Sequence, residues 1–322
     1  MGNGEQLTGR LKEFFGSSKL FIVAGKGGVG KTTVAASLAR LATVCGRRTL
    51  LIDVEQKRGI AAAFGVPPLS YEEHVLVEAD PAQGSAALLG RTVTPDDALV
   101  EWLSDHGLRR LGDRMVATGL VDIIATATPG IRDLLVLGKV KQLVAEGGYD
   151  TVILDTPASG HAIAFLKSPS GLVEAVRSGP IRRQADEVLG LLHDPARTRV
   201  ILVTLAEETP VNELVETAYQ LEETVGVALG PVVVNSLVDE VPELPRRSSQ
   251  ESDVEFRSVA NAIAFERARF TSQSLQRERL AMLLPLPQLG LGEQAGAGIG
   301  RAEIFELADL LSMQLANLER VL

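Results

Sequence analysis

One cysteine, Cys45, occurs in 322 residues, so no intrachain disulfide can form. A single thiol cannot build a Cys-rich zinc, iron–sulfur or arsenite site within one subunit either. Cys45 falls where a helix should end and reads as a packing residue. Aromatics are 4% of the chain, which leaves the core to Val, Leu, Ile and Ala. Four methionines are too few for a Met-rich groove against apolar client helices. Base is in deficit: Lys plus Arg is 32, Asp plus Glu is 41, and the net charge is −9. That argues against broad binding to nucleic acid or to an anionic membrane. No apolar run reaches the roughly 18 residues of a membrane span. The start MGNGEQLTGR lacks a signal-peptide core, and Gln6 stands where myristoylation needs Ser or Thr. The expected compartment is the cytoplasm, with no stable membrane insertion and no nucleic-acid partner.

What the chain does have is an alternation of short apolar runs with helical stretches. KLFIVAG (19–25), RTLLID (48–53), HVLVEAD (74–80), TVILDT (151–156), RVILVTLA (199–206), GPVVVNS (230–236) and MLLPLP (282–287) read as strands. They are too continuously apolar for a sheet with one wet face, as expected of parallel strands covered on both sides. The reading is α/β: a doubly wound, mostly parallel sheet. Residues 1–18 form an N-terminal extension and 19–322 the main domain. Two stretches, about 92–147 and 170–198, read as helices and are expected to form an inserted helical lobe. The run 239–255 is charged, contains Pro and is nearly free of large apolars; it reads as a loop before a long helix at about 256–280.

Gly25-Lys26-Gly27-Gly28-Val29-Gly30-Lys31-Thr32-Thr33 fits G-x-x-x-x-G-K-[ST] between a strand and an Ala- and Leu-rich helix. Glycines are needed because successive backbone N–H groups must turn inward around phosphate oxygens. The helix N-terminus adds partial positive charge. The pattern predicts ATP bound on this loop, Lys31 on the β- and γ-phosphates, and the Thr32 hydroxyl on Mg²⁺. Asp155 ends an apolar strand, where open α/β sheets bind ligands, and is the expected second holder of Mg²⁺.

The stretch GKGGVGKTT resembles the deviant Walker A class of P-loop ATPases, in which a second lysine, here Lys26, reaches the partner's nucleotide across a dimer. Asp155-Thr156-Pro157-Ala158-Ser159-Gly160-His161 resembles switch II of the arsenite-pump and tail-anchored-protein-targeting ATPases, with Pro and Ala transposed. Val77-Glu78-Ala79-Asp80-Pro81 and Thr128-Pro129-Gly130-Ile131-Arg132-Asp133 are similar to further segments of that family. The closest resemblance is to its paired bacterial members, at PGIRDLLVLGK and GPIRRQAD. The resemblance implies that Asp155, Gly160 and His161 sense the γ-phosphate. It implies that Asn235 reads adenine, under a loop carrying Pro285 and Pro287. Glu55 aligns with the family's switch I aspartate, which positions the attacking water; Asp53 is the alternative, or a contact to the Mg²⁺ shell.

The family's Cys-x-x-Cys zinc clasp and arsenite-binding thiols are absent. The resemblance implies a Mg²⁺-dependent ATPase that works as a dimer, with itself or a paralogous subunit, and couples nucleotide state to a protein or ligand client on the helical lobe. Three alternatives stand beside it: a targeting factor for tail-anchored membrane proteins, a ParA-like positioning ATPase, and a slow-turnover heterodimer scaffold.

Overall fold

A computed structural model describes residues 3–54, 59–105, 107, 130–157, 159–241, 253–294, 296 and 298–318, without the side chains of 3–8, 159–161 and 253–255. In chain order the elements are α1 (Asn3–Gly16), β1 (Leu20–Gly25), α2 (Lys31–Val44), β2 (Thr49–Asp53), α3 (Gly59–Phe64), β3 (His74–Val77), β4 (Leu88–Thr92) and α4 (Pro95–Asp105). They continue as α5 (Ile131–Ala145), β5 (Thr151–Asp155), α6 (Ser159–Ala175), α7 (Pro180–Leu192), β6 (Thr198–Leu205), α8 (Glu208–Gln220), β7 (Leu229–Leu237), α9 (Asp253–Leu283), β8 (Gln288–Gly292) and α10 (Arg301–Ala316).

The eight strands lie in the order β3-β4-β2-β5-β1-β6-β7-β8. Every neighbouring pair is parallel except β3 and β4. Because side chains alternate along a strand, each central strand feeds two cores. Leu20, Ile22 and Ala24 join one; Phe21 and Val23 join the other. The first core is closed by α5, α6, α7 and α8, and the second by α1, α2, α3 and α10. This is the two-sided burial that the continuous apolar runs demand.

The N-terminal residues are built into the second core. Phe14 and Phe15 of α1 are fully buried and pack on Phe21, with ring centroids 5.2 and 5.6 Å away. Cys45 caps α2 and is buried, as expected of a packing residue.

Three strand readings need correction. The run 74–80 is a strand only over His74–Val77, and it is antiparallel. LLGRT (Leu88–Thr92), which carries no strand signal, is β4. Its Gly90 leaves room for Leu76, whose Cδ1 lies 2.6 Å from where a Cβ would be. Met282 and Leu283 end α9; the last strand is Gln288–Gly292. It sits at the sheet edge, so only Leu289 and Leu291 are buried. The side-chain amide of Gln314 serves its outer edge, accepting from Gly290 N at 2.7 Å and donating to Gly290 O at 2.5 Å.

Of the expected lobe, α5 and α7 lie directly on the sheet: Leu137, Val140, Val188 and Leu191 share a core with Ile22 and Leu154. Leu99, Trp102 and Leu103 of α4 form a separate small cluster. Residues 108–129 lie outside the described part. Glu101 ties α4 to the body, accepting from Lys139 at 2.7 Å and from the Tyr71 hydroxyl. Burial opposes its charge, but these two hydrogen bonds and the nearby cations Lys139 and Arg91 prevail and hold its carboxyl below the usual range.

Candidate functional site

The loop between β1 and α2 takes its shape from three glycines. Gly25 lies so close to β6 that a Cβ there would meet Val203 O at 2.3 Å. Gly28 and Gly30 have φ of 86° and 91°, a region that L side chains rarely enter. Gly30 also abuts Asn235, whose Nδ2 would lie 2.2 Å from an added Cβ. Such a turn, leading straight into the N-terminus of α2, is a ready anion site. No acidic residue sits in the first turn of α2 to compete for it.

Lys31 opens α2. It is 7% exposed, and its Nζ donates to the carbonyl of Lys26 at 3.0 Å. One residue on, the Thr32 hydroxyl donates to Asp155 Oδ2 at 2.6 Å. Asp155 ends β5, and Asp53 is its register partner at the end of β2. Both are buried, so two carboxylates and one hydroxyl gather at the carboxyl edge of the sheet beside the loop. Thr156 then fixes the exit of β5: its hydroxyl and N–H both donate to Val23 O, at 2.8 and 3.2 Å. Asn235, at the matching edge of β7, donates from Nδ2 to Val29 O at 3.0 Å and so braces the loop.

Lys26 behaves differently from Lys31. It stands on the rim of the loop, and its Nζ donates to Glu213 Oε1 of α8 at 2.6 Å. The two side chains are 41% and 39% exposed.

The structure thus brings together Gly25, Gly28, Gly30, Lys31, Thr32, Asp53, Asp155 and Asn235. Glu55 lies outside the described residues. Gly160 and His161 sit in the first turn of α6, with no description of their side chains. Pro285 and Pro287 do not join the site, contrary to expectation. Pro287 O accepts from Val232 N at 2.8 Å, at the edge where strands enter. That is three residues of β7, about 10 Å, short of Asn235. Glu293 and Gln294, which follow β8, lie at the carboxyl edge instead. Beside it a cavity of about 580 Å³ is lined in part by Leu237, Asp239, Phe270, Arg277 and Glu293. Glu213 was missed as well. It sits in a helix of mixed polarity, and only its place in the second turn of the helix after β6 hints at the site.

A glycine-shaped phosphate cradle at the carboxyl edge of a doubly wound parallel sheet, with a buried lysine and a Thr–Asp pair, defines a P-loop nucleoside-triphosphate-binding protein. Residues 18–185 match the family model described as anion-transporting ATPase. The chain belongs to that family. ATPase BagA of Mycobacterium tuberculosis is 30% identical over 92% of this chain and 93% of its own length. ATPase get3 of Schizosaccharomyces japonicus is 30% identical over 58% of each chain. A protein of Halobacterium salinarum named as an arsenical pump-driving ATPase is 28% identical over 69% of this chain and 36% of its own. Among the described residues no helix is long and apolar enough to cross a membrane.

Proposed function

We propose that this chain is an ATP-hydrolysing switch that closes as a dimer, with itself or with a paralogous subunit. The observation that carries the reading is the division of labour between two lysines of one loop. Lys31 is buried in the cradle, bonded to its own loop. Lys26 is 41% exposed on the rim, which is where a facing subunit would meet it in this reading. A cation so placed can stabilise charge developing on the partner's phosphoryl group, as a trans-acting arginine does.

The donor set at Thr32 and Asp155 is hard oxygen only, which suits Mg²⁺ better than a softer ion. When bound there, Mg²⁺ neutralises charge on the β- and γ-phosphates. Thr32 and Asp155 would hold it, with Asp53, the register partner of Asp155, as a further carboxylate beside it. Glu55 is assigned the orientation of the attacking water. Asn235 has a second role in this reading, presenting its amide to the base edge.

The segment 155–161 runs into α6, and Phe165 and Leu166 of α6 pack in the core shared with α5 and α7. A movement at the γ-phosphate therefore reaches those helices directly. The client surface is assigned to α4, α5 and α7, where Leu99, Trp102, Leu134, Leu135 and Ile181 line an apolar hollow of about 170 Å³. The client is a protein or ligand, bound without a Met-rich apolar groove on this chain.

Sedimentation velocity tests the dimer. The expected result is a monomer with ADP and a dimer with Mg²⁺ and a non-hydrolysable ATP analogue. A monomer under both conditions overturns the reading.

A further inference from the structure

The ion pair between Lys26 and Glu213 lies within one subunit, yet the proposed role of Lys26 lies in another. Glu213 sits on a rigid helix: Val211, Leu214 and Ala218 anchor α8 in the core, and the Thr217 hydroxyl bonds the Glu213 carbonyl at 2.7 Å. Lys26 sits on a loop. The second carboxylate oxygen of Glu213, Oε2, is buried without a hydrogen-bond partner among the described residues. A carboxylate in that state depends on the cation it has, because losing it leaves charge uncompensated. At 2.6 Å from Glu213, the Lys26 ammonium has one of its three N–H donors committed within its own subunit and is drawn towards α8.

We infer that Glu213 is a positioning residue that holds Lys26 inside its own subunit in the nucleotide-free chain. Closure on ATP then draws Lys26 away in competition with this pair, so Glu213 raises the protein concentration at which the dimer closes. The inference rests on the dimer reading above. It gives the switch a second stable arrangement: Lys26 on its own α8 before closure, and on the partner's nucleotide after it. The pair is half exposed, so the hold is modest and readily reversed.

The test has two arms. In the first, the amine of Lys26 is acetylated in nucleotide-free protein and followed by mass spectrometry, with exposed Lys167 as the internal reference. Glu213→Gln should raise the Lys26 rate about 2–5-fold, the size a half-exposed pair permits. Glu213→Ala is the second variant and should do the same; thermal melting checks that both fold. Equal rates in the parent and both variants overturn the inference. In the second arm, sedimentation with Mg²⁺ and the ATP analogue reads the concentration of half-dimerisation. Glu213→Gln should lower it by about the square of that factor, because each closed dimer releases two such pairs. A higher concentration overturns the inference, because Glu213 then supports the closed state. Faster labelling with no dimer in any protein supports the hold on Lys26 and overturns the dimer reading on which it was built.

Discussion

The Thr32 hydroxyl lies 2.6 Å from Asp155 Oδ2 and joins the first turn of α2 to the end of β5. Two elements 123 residues apart in sequence are thereby held as one oxygen-donor site. Removing either donor should weaken the Mg²⁺-dependent part of ATP binding. ATP affinity of Thr32→Ala and Asp155→Asn, measured with and without Mg²⁺, should show a gain from the ion reduced by about tenfold or more. An undiminished gain places the ion elsewhere.

Gly30→Ala tests the loop geometry. The new side chain would have φ near 91° and a Cβ 2.2 Å from Asn235 Nδ2. A non-glycine residue in such a conformation costs about 1–3 kcal/mol. Thermal unfolding should therefore show destabilisation of that order, together with loss of nucleotide binding. Gly148→Ala, in an exposed turn with nothing within 4 Å of an added Cβ, should be close to neutral. Similar melting of the two variants would contradict the account.

The phosphate cradle was legible because its constraints are local. Gly28 and Gly30 need left-handed backbone, and the glycine spacing states that in one short segment. The central strands were legible because burial on both faces forces unbroken apolar runs. Two outer strands were not: β4, one in from the edge, holds Gly90 and Arg91, and the edge strand β8 buries only Leu289 and Leu291. The apolar run before β8 misled in another way, since Met282 and Leu283 end a helix and Pro285 and Pro287 belong to the turn after it. The Lys26–Glu213 pair spans 187 residues, and a glutamate in a helix of mixed polarity carries no local mark of its partner.

Burial pushes the Cys45 thiol up to about 11, against the opposing charges of Lys12 and Arg47. A thiol in an unfolded chain ionises near 8.5. The folded state therefore holds this proton more tightly. Its contribution to stability is complete below about pH 8.5 and is lost as pH rises towards 11. Ultraviolet titration of the thiolate should give a midpoint near 11 in native protein and near 8.5 in denaturant. A lone inert thiol also predicts no stoichiometric zinc in purified protein and no stimulation of ATPase activity by arsenite. Zinc that is lost on Cys45→Ser would contradict this.

In the proposed reading, coupling from the nucleotide to the helices runs through α6. Its Ser168 lies against Gly130, which caps α5 with φ of 84°; a Cβ at Gly130 would meet Ser168 Cβ at 3.1 Å. Amide hydrogen exchange in α6 and α7 should differ between ADP and the non-hydrolysable analogue, with the phosphate loop as the internal control. If the loop responds and 170–198 does not, these helices are not coupled to the switch. Glu55→Gln should prolong the closed state by blocking hydrolysis while ATP still binds. Hydrolysis at the parental rate in that variant moves the water-orienting role to Asp53.

The central claim is that Lys26 acts on a nucleotide held by another subunit, and the steady-state ATPase rate per chain, followed against protein concentration, tests it most directly. In the parent this rate should rise with concentration and level off as dimers fill. Lys26→Ala should retain ATP binding and lose hydrolysis roughly 10³-fold, as trans-acting arginines do when removed. Lys31→Ala should lose binding itself. A per-chain rate that is constant across the range, with Lys26→Ala as active as the parent, would contradict the account.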